Sequence, residues 1–170
     1  MSTPLRITVT LAATALAAVG LVPTATASAP TREELAVNTD EVFTDWCSFP
    51  VRLQETGKVI ILTSTGSGDV VRETVVAPEY RGTLTNQLTG AQLAVAYPGG
   101  LHITYYADGS HTTRGTGPTV IAPPLPSPAT GTLGLWLVRG QFQFEVAADG
   151  TVTSTSFSGS QVDLCKALSQ

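Results

Sequence analysis

Both histidines of the chain fall in one short stretch, Leu101-His102-Ile103-Thr104-Tyr105-Tyr106-Ala107-Asp108-Gly109-Ser110-His111. Imidazoles beside phenols and a carboxylate are the groups from which a metal site or an acid–base pair is built. Asp108-Gly109 marks a hairpin turn, because Gly takes φ > 0 without a steric cost, so strand geometry tests the idea. A two-residue turn sets Tyr106 opposite His111 and leaves His102 four residues further along the strand. At ~3.4 Å per residue the imidazoles then stand roughly 13 Å apart, too far for one metal. A three-residue turn with a Gly bulge pairs Tyr105 with His111 and His102 with Arg114, and it also separates the histidines. His102, Tyr105, Tyr106 and His111 are therefore read as strand residues that are candidates for facing a ligand.

Other chemistry is weaker still. Gly66-Ser67-Gly68-Asp69 holds the nearest Gly-flanked serine, but no G-x-S-x-G elbow surrounds it and a turn explains it. Paired carboxylates could serve a glycosidase. Yet Glu41, Asp45, Glu55, Glu73, Glu79 and Glu145 fall on alternating strands or near turns, where a solvated face accounts for them. Phosphate-cradling loops, cysteine clusters and calcium loops have no match in the sequence. No catalytic residue, metal or cofactor is assigned. The aromatics Tyr80, Tyr97, Tyr105, Tyr106, Trp136, Phe142, Phe144 and Phe157 either pack a core or line a barrel cavity, and Trp136 joins the ligand-facing candidates on the second reading.

The elements that would position these groups are β-strands. From Phe49 onward the chain is rich in Val, Thr and Gly, with turn signals every several residues. Val51 to Glu55 alternates, Thr56-Gly57 breaks the pattern, and Lys58 to Thr63 resumes as a buried strand. Further strands are expected over Val70–Val76, Tyr80–Thr85, Gln92–Tyr97 and Leu133–Val138. Leu101–Tyr106 and Ser110–Arg114 flank one Ala-Asp-Gly turn, and Gln141–Val146 and Thr151–Thr155 flank another. Such spacing predicts an all-β fold, an antiparallel β-barrel or β-sandwich. Ala122-Pro123-Pro124-Leu125-Pro126-Ser127-Pro128 must be extended and outside any ladder. Ser160-Gln161-Val162-Asp163 has the form of a capping box and predicts a short C-terminal helix, with Ser160 as N-cap.

Two cysteines bracket this region. Cys47 in Asp45-Trp46-Cys47-Ser48-Phe49-Pro50-Val51 has a single intrachain candidate partner, Cys165, with two free thiols as the alternative. Arg6, the apolar run Ile7–Val22 and the small residues Ala25-Thr26-Ala27 read as a Sec-type export signal cleaved after Ala27. Export suits a disulfide. The expected division is a signal peptide over 1–27, a flexible leader over 28–40 with a helical turn near Glu33–Val37, and a single β domain over 41–170. Cleavage leaves 8 basic against 13 acidic residues, net −5. That balance disfavours nucleic acid and anionic lipid as partners. No later stretch is apolar enough to span a membrane.

Trp46-Cys47-Ser48-Phe49-Pro50-Val51, Leu101-His102-Ile103-Thr104 leading into Ala107-Asp108-Gly109, Gly115-Thr116-Gly117-Pro118 and Val162-Asp163-Leu164-Cys165 occur in that order. In this the chain resembles a group of secreted actinobacterial proteins of unknown function. The resemblance implies a small, β-rich domain tied by one disulfide, and it brings no activity or binding residues with it. The function expected is a secreted, non-catalytic binding or interaction module. Its partner would be a small apolar molecule in a barrel mouth, a glycan or a protein. A hydrolase would instead require His102, His111 or an acid pair to converge in a cleft, and a structural envelope protein would show neither cavity nor cleft.

Overall fold

The computed structural model describes residues 29–66 and 69–170. The stretch expected as an export signal, residues 1–27, and Ser67 lie outside the described residues. The element order is β1 (Thr31–Phe43), β2 (Val51–Thr65), β3 (Val71–Val76), β4 (Arg81–Asn86), β5 (Gln92–Ala96), β6 (Gly100–Tyr105), β7 (His111–Thr116), β8 (Thr119–Ile121), β9 (Trp136–Val146), β10 (Val152–Asp163) and α1 (Leu164–Leu168). All ten strands belong to one antiparallel sheet, ordered β10-β9-β7-β6-β3-β2-β4-β5, with β1 on β2 and β8 on β9. β5 and β10 end that path without pairing to each other. The sheet is open, so the fold is all-β and sandwich-like, and the closed-barrel alternative does not hold.

Two long strands organise the sheet in the same way. β2 pairs with β1 from Phe43↔Val51 to Thr31↔Thr63, while its other edge is shared by β4 at Val51–Thr56 and β3 at Ile60–Thr65. β9 pairs with β10 along its length, and its other edge is shared by β8 at Trp136–Val138 and β7 at Gln141–Val146. Each strand bends where its second partner changes. Gly57 sits at the first bend with φ +139°, and a Cβ there would meet Glu79 O at 2.5 Å and Tyr80 Cα at 2.7 Å. Only glycine lets the β3–β4 connection cross so close. Gly140 (φ +126°) and Gly159 (φ +150°) face each other at the second bend, each backbone filling the space of the other's missing side chain. The Thr56-Gly57 break expected in the sequence is thus a kink inside one continuous strand.

The bends fold the sheet over two apolar clusters. In the first, Val51, Leu84 and Val95 of β2, β4 and β5 meet Leu135, Leu164 and Leu168, with Phe49 and Tyr97. In the second, Ile121, Val138, Phe142, Phe144 and Val146 gather, with Leu125 of the proline-rich segment and Trp136 packed against them. Leu84, Leu135, Leu168 and Phe144 are fully buried, and each such side chain contributes about 1.5–3 kcal/mol. Cys47 is bonded to Cys165, which seats α1 against the first cluster. Asn86, itself buried, donates from Nδ2 to Leu168 O at 3.0 Å and accepts from Leu88 N at 2.9 Å. Buried Ser127 donates to Gln161 Oε1 at 2.7 Å and accepts from Thr130 N at 3.0 Å, which pins the proline-rich segment to β10.

Three local expectations are corrected. The segment expected as a flexible leader is strand β1 from Thr31 onward, with no helical turn at Glu33–Val37. The N-cap of α1 is Asp163, whose side chain accepts from Lys166 N, because β10 runs on through Ser160. The strand expected from Leu133 begins at Trp136. Both Asp-Gly hairpins use the three-residue turn: Tyr106 N donates to Ser110 O and Ala147 N to Thr151 O, with Gly109 and Gly150 at positive φ. No helix among the described residues is long and apolar enough to cross a membrane.

Candidate functional site

Register decides which side chains can meet. Ile61, Val75, Leu101, Gly115, Phe142 and Phe157 form one row across β2, β3, β6, β7, β9 and β10. One residue along, the row on the opposite face reads Leu62, Thr74, His102, Arg114, Gln143 and Ser156. One face is therefore mostly apolar and the other polar.

The five candidates from the sequence separate on this framework. His102 lies on the polar face, exposed, with Nδ1 3.1 Å from Thr74 Oγ1. Tyr105 and His111 pair on the apolar face, rings 5.6 Å apart, and Tyr105 donates to Glu73 Oε2 at 3.3 Å. Burial, and after it the Glu73 charge, holds the Tyr105 phenol above its ordinary value. Tyr106 is exposed at the hairpin tip, its hydroxyl 3.3 Å from Thr112 Oγ1. Trp136 is half-buried against the second cluster, and its Nε1 is buried with no hydrogen-bond partner among the described residues. The histidines stand on opposite faces, and no group of metal-ligating side chains gathers among the described residues.

The group that does converge was not singled out in the sequence. Val51, Leu53, Glu55, Val59 and Ile61 share one face of β2, so strand alternation alone turns Glu55 toward the apolar side. There it is half-buried between two tyrosines, with Thr39 Oγ1 donating to its Oε2 at 3.2 Å. Tyr80 arrives on the connection that crosses Gly57, and Tyr97 follows β5; their rings are 4.8 Å apart and inclined by 52°. Tyr97 N donates to Tyr80 O at 3.2 Å, which locks the two together. Gly82 leaves room beneath them, since a Cβ at that position would lie 3.2 Å from Glu55 Cγ and 3.3 Å from the Tyr97 hydroxyl. Burial first, and then the Glu55 carboxylate beside them, push both phenols well above their ordinary value. At neutral pH both therefore keep their protons.

These three polar groups stand at a half-open cavity of about 270 Å³, whose remaining walls include Val59, Val75, Ala77, Leu101 and Val120. Its lining thus combines hydrocarbon walls with a few convergent polar groups. Among the described residues, no histidine or serine lines it. Comparison with protein-family models, with curated proteins and with solved structures finds no match to this chain.

Proposed function

We propose that this is an exported, disulfide-tied binding protein that takes a small, largely apolar molecule into the Glu55–Tyr80–Tyr97 cavity. The observation that carries the reading is one half-buried carboxylate and two neutral phenols set in a mostly apolar cavity. A carboxylate offers chiefly hydrogen-bond acceptors. The ligand class that fits is therefore an apolar body bearing one donor, an amine before an alcohol, since a cation also gains from the tyrosine rings. The N-terminal export signal read from the sequence and the Cys47–Cys165 bond are consistent with an oxidising compartment. Separation of the two histidines to opposite faces favours binding over the hydrolase alternative.

A thermal-denaturation series with hexylamine, hexanol and hexanoate tests the assignment. A ligand present at a hundred times its Kd adds about 2.7 kcal/mol of stability. Hexylamine should stabilise most and hexanoate least, and Glu55→Gln should erase the preference. Equal behaviour of all three, or a preference for hexanoate, would contradict it.

A further inference from the structure

The polar face of the sheet carries a second concavity that the cavity above does not touch. It runs across β3, β6, β7, β9 and β10 as two adjoining depressions of about 490 and 330 Å³ that share His102 and Arg114. Five strands at ~4.8 Å spacing give it a length of roughly 19 Å. Both depressions are half-open, and end to end they are long enough for a polymer to lie across them.

Its chemistry is unlike the rest of the chain. Arg72, His102 and Arg114 line it, and no carboxylate does, in a protein whose formal net charge is −4. Glu145, on the same strand as Gln143, accepts from Gln143 Nε2 at 3.2 Å. Arg114 donates from Nε to Gln143 Oε1 at 2.8 Å, which fixes the plane of the guanidinium and of the amide together. The terminal nitrogens of Arg114 make no hydrogen bond to the described residues, so its fork is presented outward. Beyond it, Gln141, Ser156 and Ser158 add amide and hydroxyl groups from strands β9 and β10. Phe142 and Phe157 also line the larger depression, and around them the groove offers planar amides, hydroxyls and a bidentate cation.

We infer that this groove binds a carboxylated polysaccharide, with Arg114 and Arg72 holding uronate carboxylates and the Gln and Ser side chains meeting sugar hydroxyls. A guanidinium matches a carboxylate with two parallel hydrogen bonds, and the amides and hydroxyls supply both donors and acceptors for hydroxyl groups. The inference does not depend on the small-molecule cavity, which shares no lining residue with the groove.

Affinity electrophoresis and calorimetry of the oxidised protein with sodium polygalacturonate test it, with neutral dextran, dextran sulfate and poly-L-glutamate as comparisons. Polygalacturonate should bind and the other three should bind at least about tenfold more weakly. Arg114→Gln and Arg72→Gln should each weaken polygalacturonate about tenfold or more, as loss of a charge-assisted hydrogen bond does. Arg81→Gln, which lies off the groove on β4, should leave binding unchanged. All three arginines are exposed, so the melting temperature should not move. No binding of polygalacturonate, equal binding of poly-L-glutamate or dextran sulfate, or indifference to Arg114→Gln would overturn the inference.

Discussion

Breaking the Cys47–Cys165 bond should cost more than any other covalent change to this chain. The bond closes a loop with a sequence separation of 118. Loop-closure entropy removed from the denatured chain then corresponds to about 4.9 kcal/mol at 25 °C. For a domain of this size that loss lowers the melting temperature by roughly 15–20 °C. The native state has its own stake in the bond. α1 is five residues long, too short to persist alone, and it carries Leu164 and Leu168 into the cluster that also holds Tyr97. Urea denaturation of the oxidised protein and of Cys47→Ala/Cys165→Ala provides the assay. The variant should lose about 4–5 kcal/mol, and its m-value should rise as the unlinked denatured chain expands. A loss below about 2 kcal/mol with an unchanged m-value would contradict this expectation, since it would mean the ends stay together in the denatured chain without the bond.

Other consequences follow from single positions. Gly57→Ala forces a side chain into the φ +139° backbone and against Glu79 O, and should destabilise by about 2–4 kcal/mol in urea denaturation. Asn86→Ala strips the partners from Leu168 O and Leu88 N in a buried setting, and should cost about 1–3 kcal/mol by the same measurement. Tyr97 gives a pH signature. Its folded-state pKa is raised, so its contribution is complete below the unfolded value of about 10 and declines as pH rises beyond it. There the unfolded chain sheds a proton that the folded chain keeps, and the slope approaches about 1.4 kcal/mol per pH unit. Denaturation midpoints from pH 8 to 11.5 should fall less steeply in Tyr97→Phe, and an unaltered slope would count against a buried neutral phenol.

The parts of this fold written in local chemistry were legible in the sequence. Asp108-Gly109 and Asp149-Gly150 specify their hairpins because a Gly at positive φ closes each turn, and the Asp side chains accept from Ser110 N and Thr151 N. The three-residue turn was one of two registers the sequence allowed, and the neighbouring strands decide between them. β1 was hidden for a physical reason. It is exposed on nearly every residue and pairs with β2 alone, so neither face needs an apolar pattern, and Glu33-Glu34-Leu35-Ala36 has helical propensity. Pairing along thirteen residues of β2 overrides that propensity. Similarly, Ser160 to Asp163 has the spacing of a capping box, but β9 holds those residues as strand.

Closure of the sheet was not legible, because it depends on whether β5 and β10 meet, and neither sequence refers to the other. Glu55 was legible and was misassigned. Its place two residues after Leu53 and four before Val59 puts it on the buried face, against the habit of reading a lone acid as solvated. Tyr80 and Tyr97 were named as possible cavity lining; what was not legible was their meeting with Glu55, which they reach through the crossing at Gly57 and the pairing of β4 with β5.

The account stands most directly on whether the Glu55–Tyr80–Tyr97 cavity holds a molecule. Native mass spectrometry of the protein purified from cells that make it, compared with Ala77→Trp, measures this. Ala77 lines the cavity, and an indole there fills much of the space. The wild-type protein should carry a reproducible added small-molecule mass, released on denaturation and absent from the folded variant. An apo mass for the wild type, or the same added mass on Ala77→Trp, would contradict it.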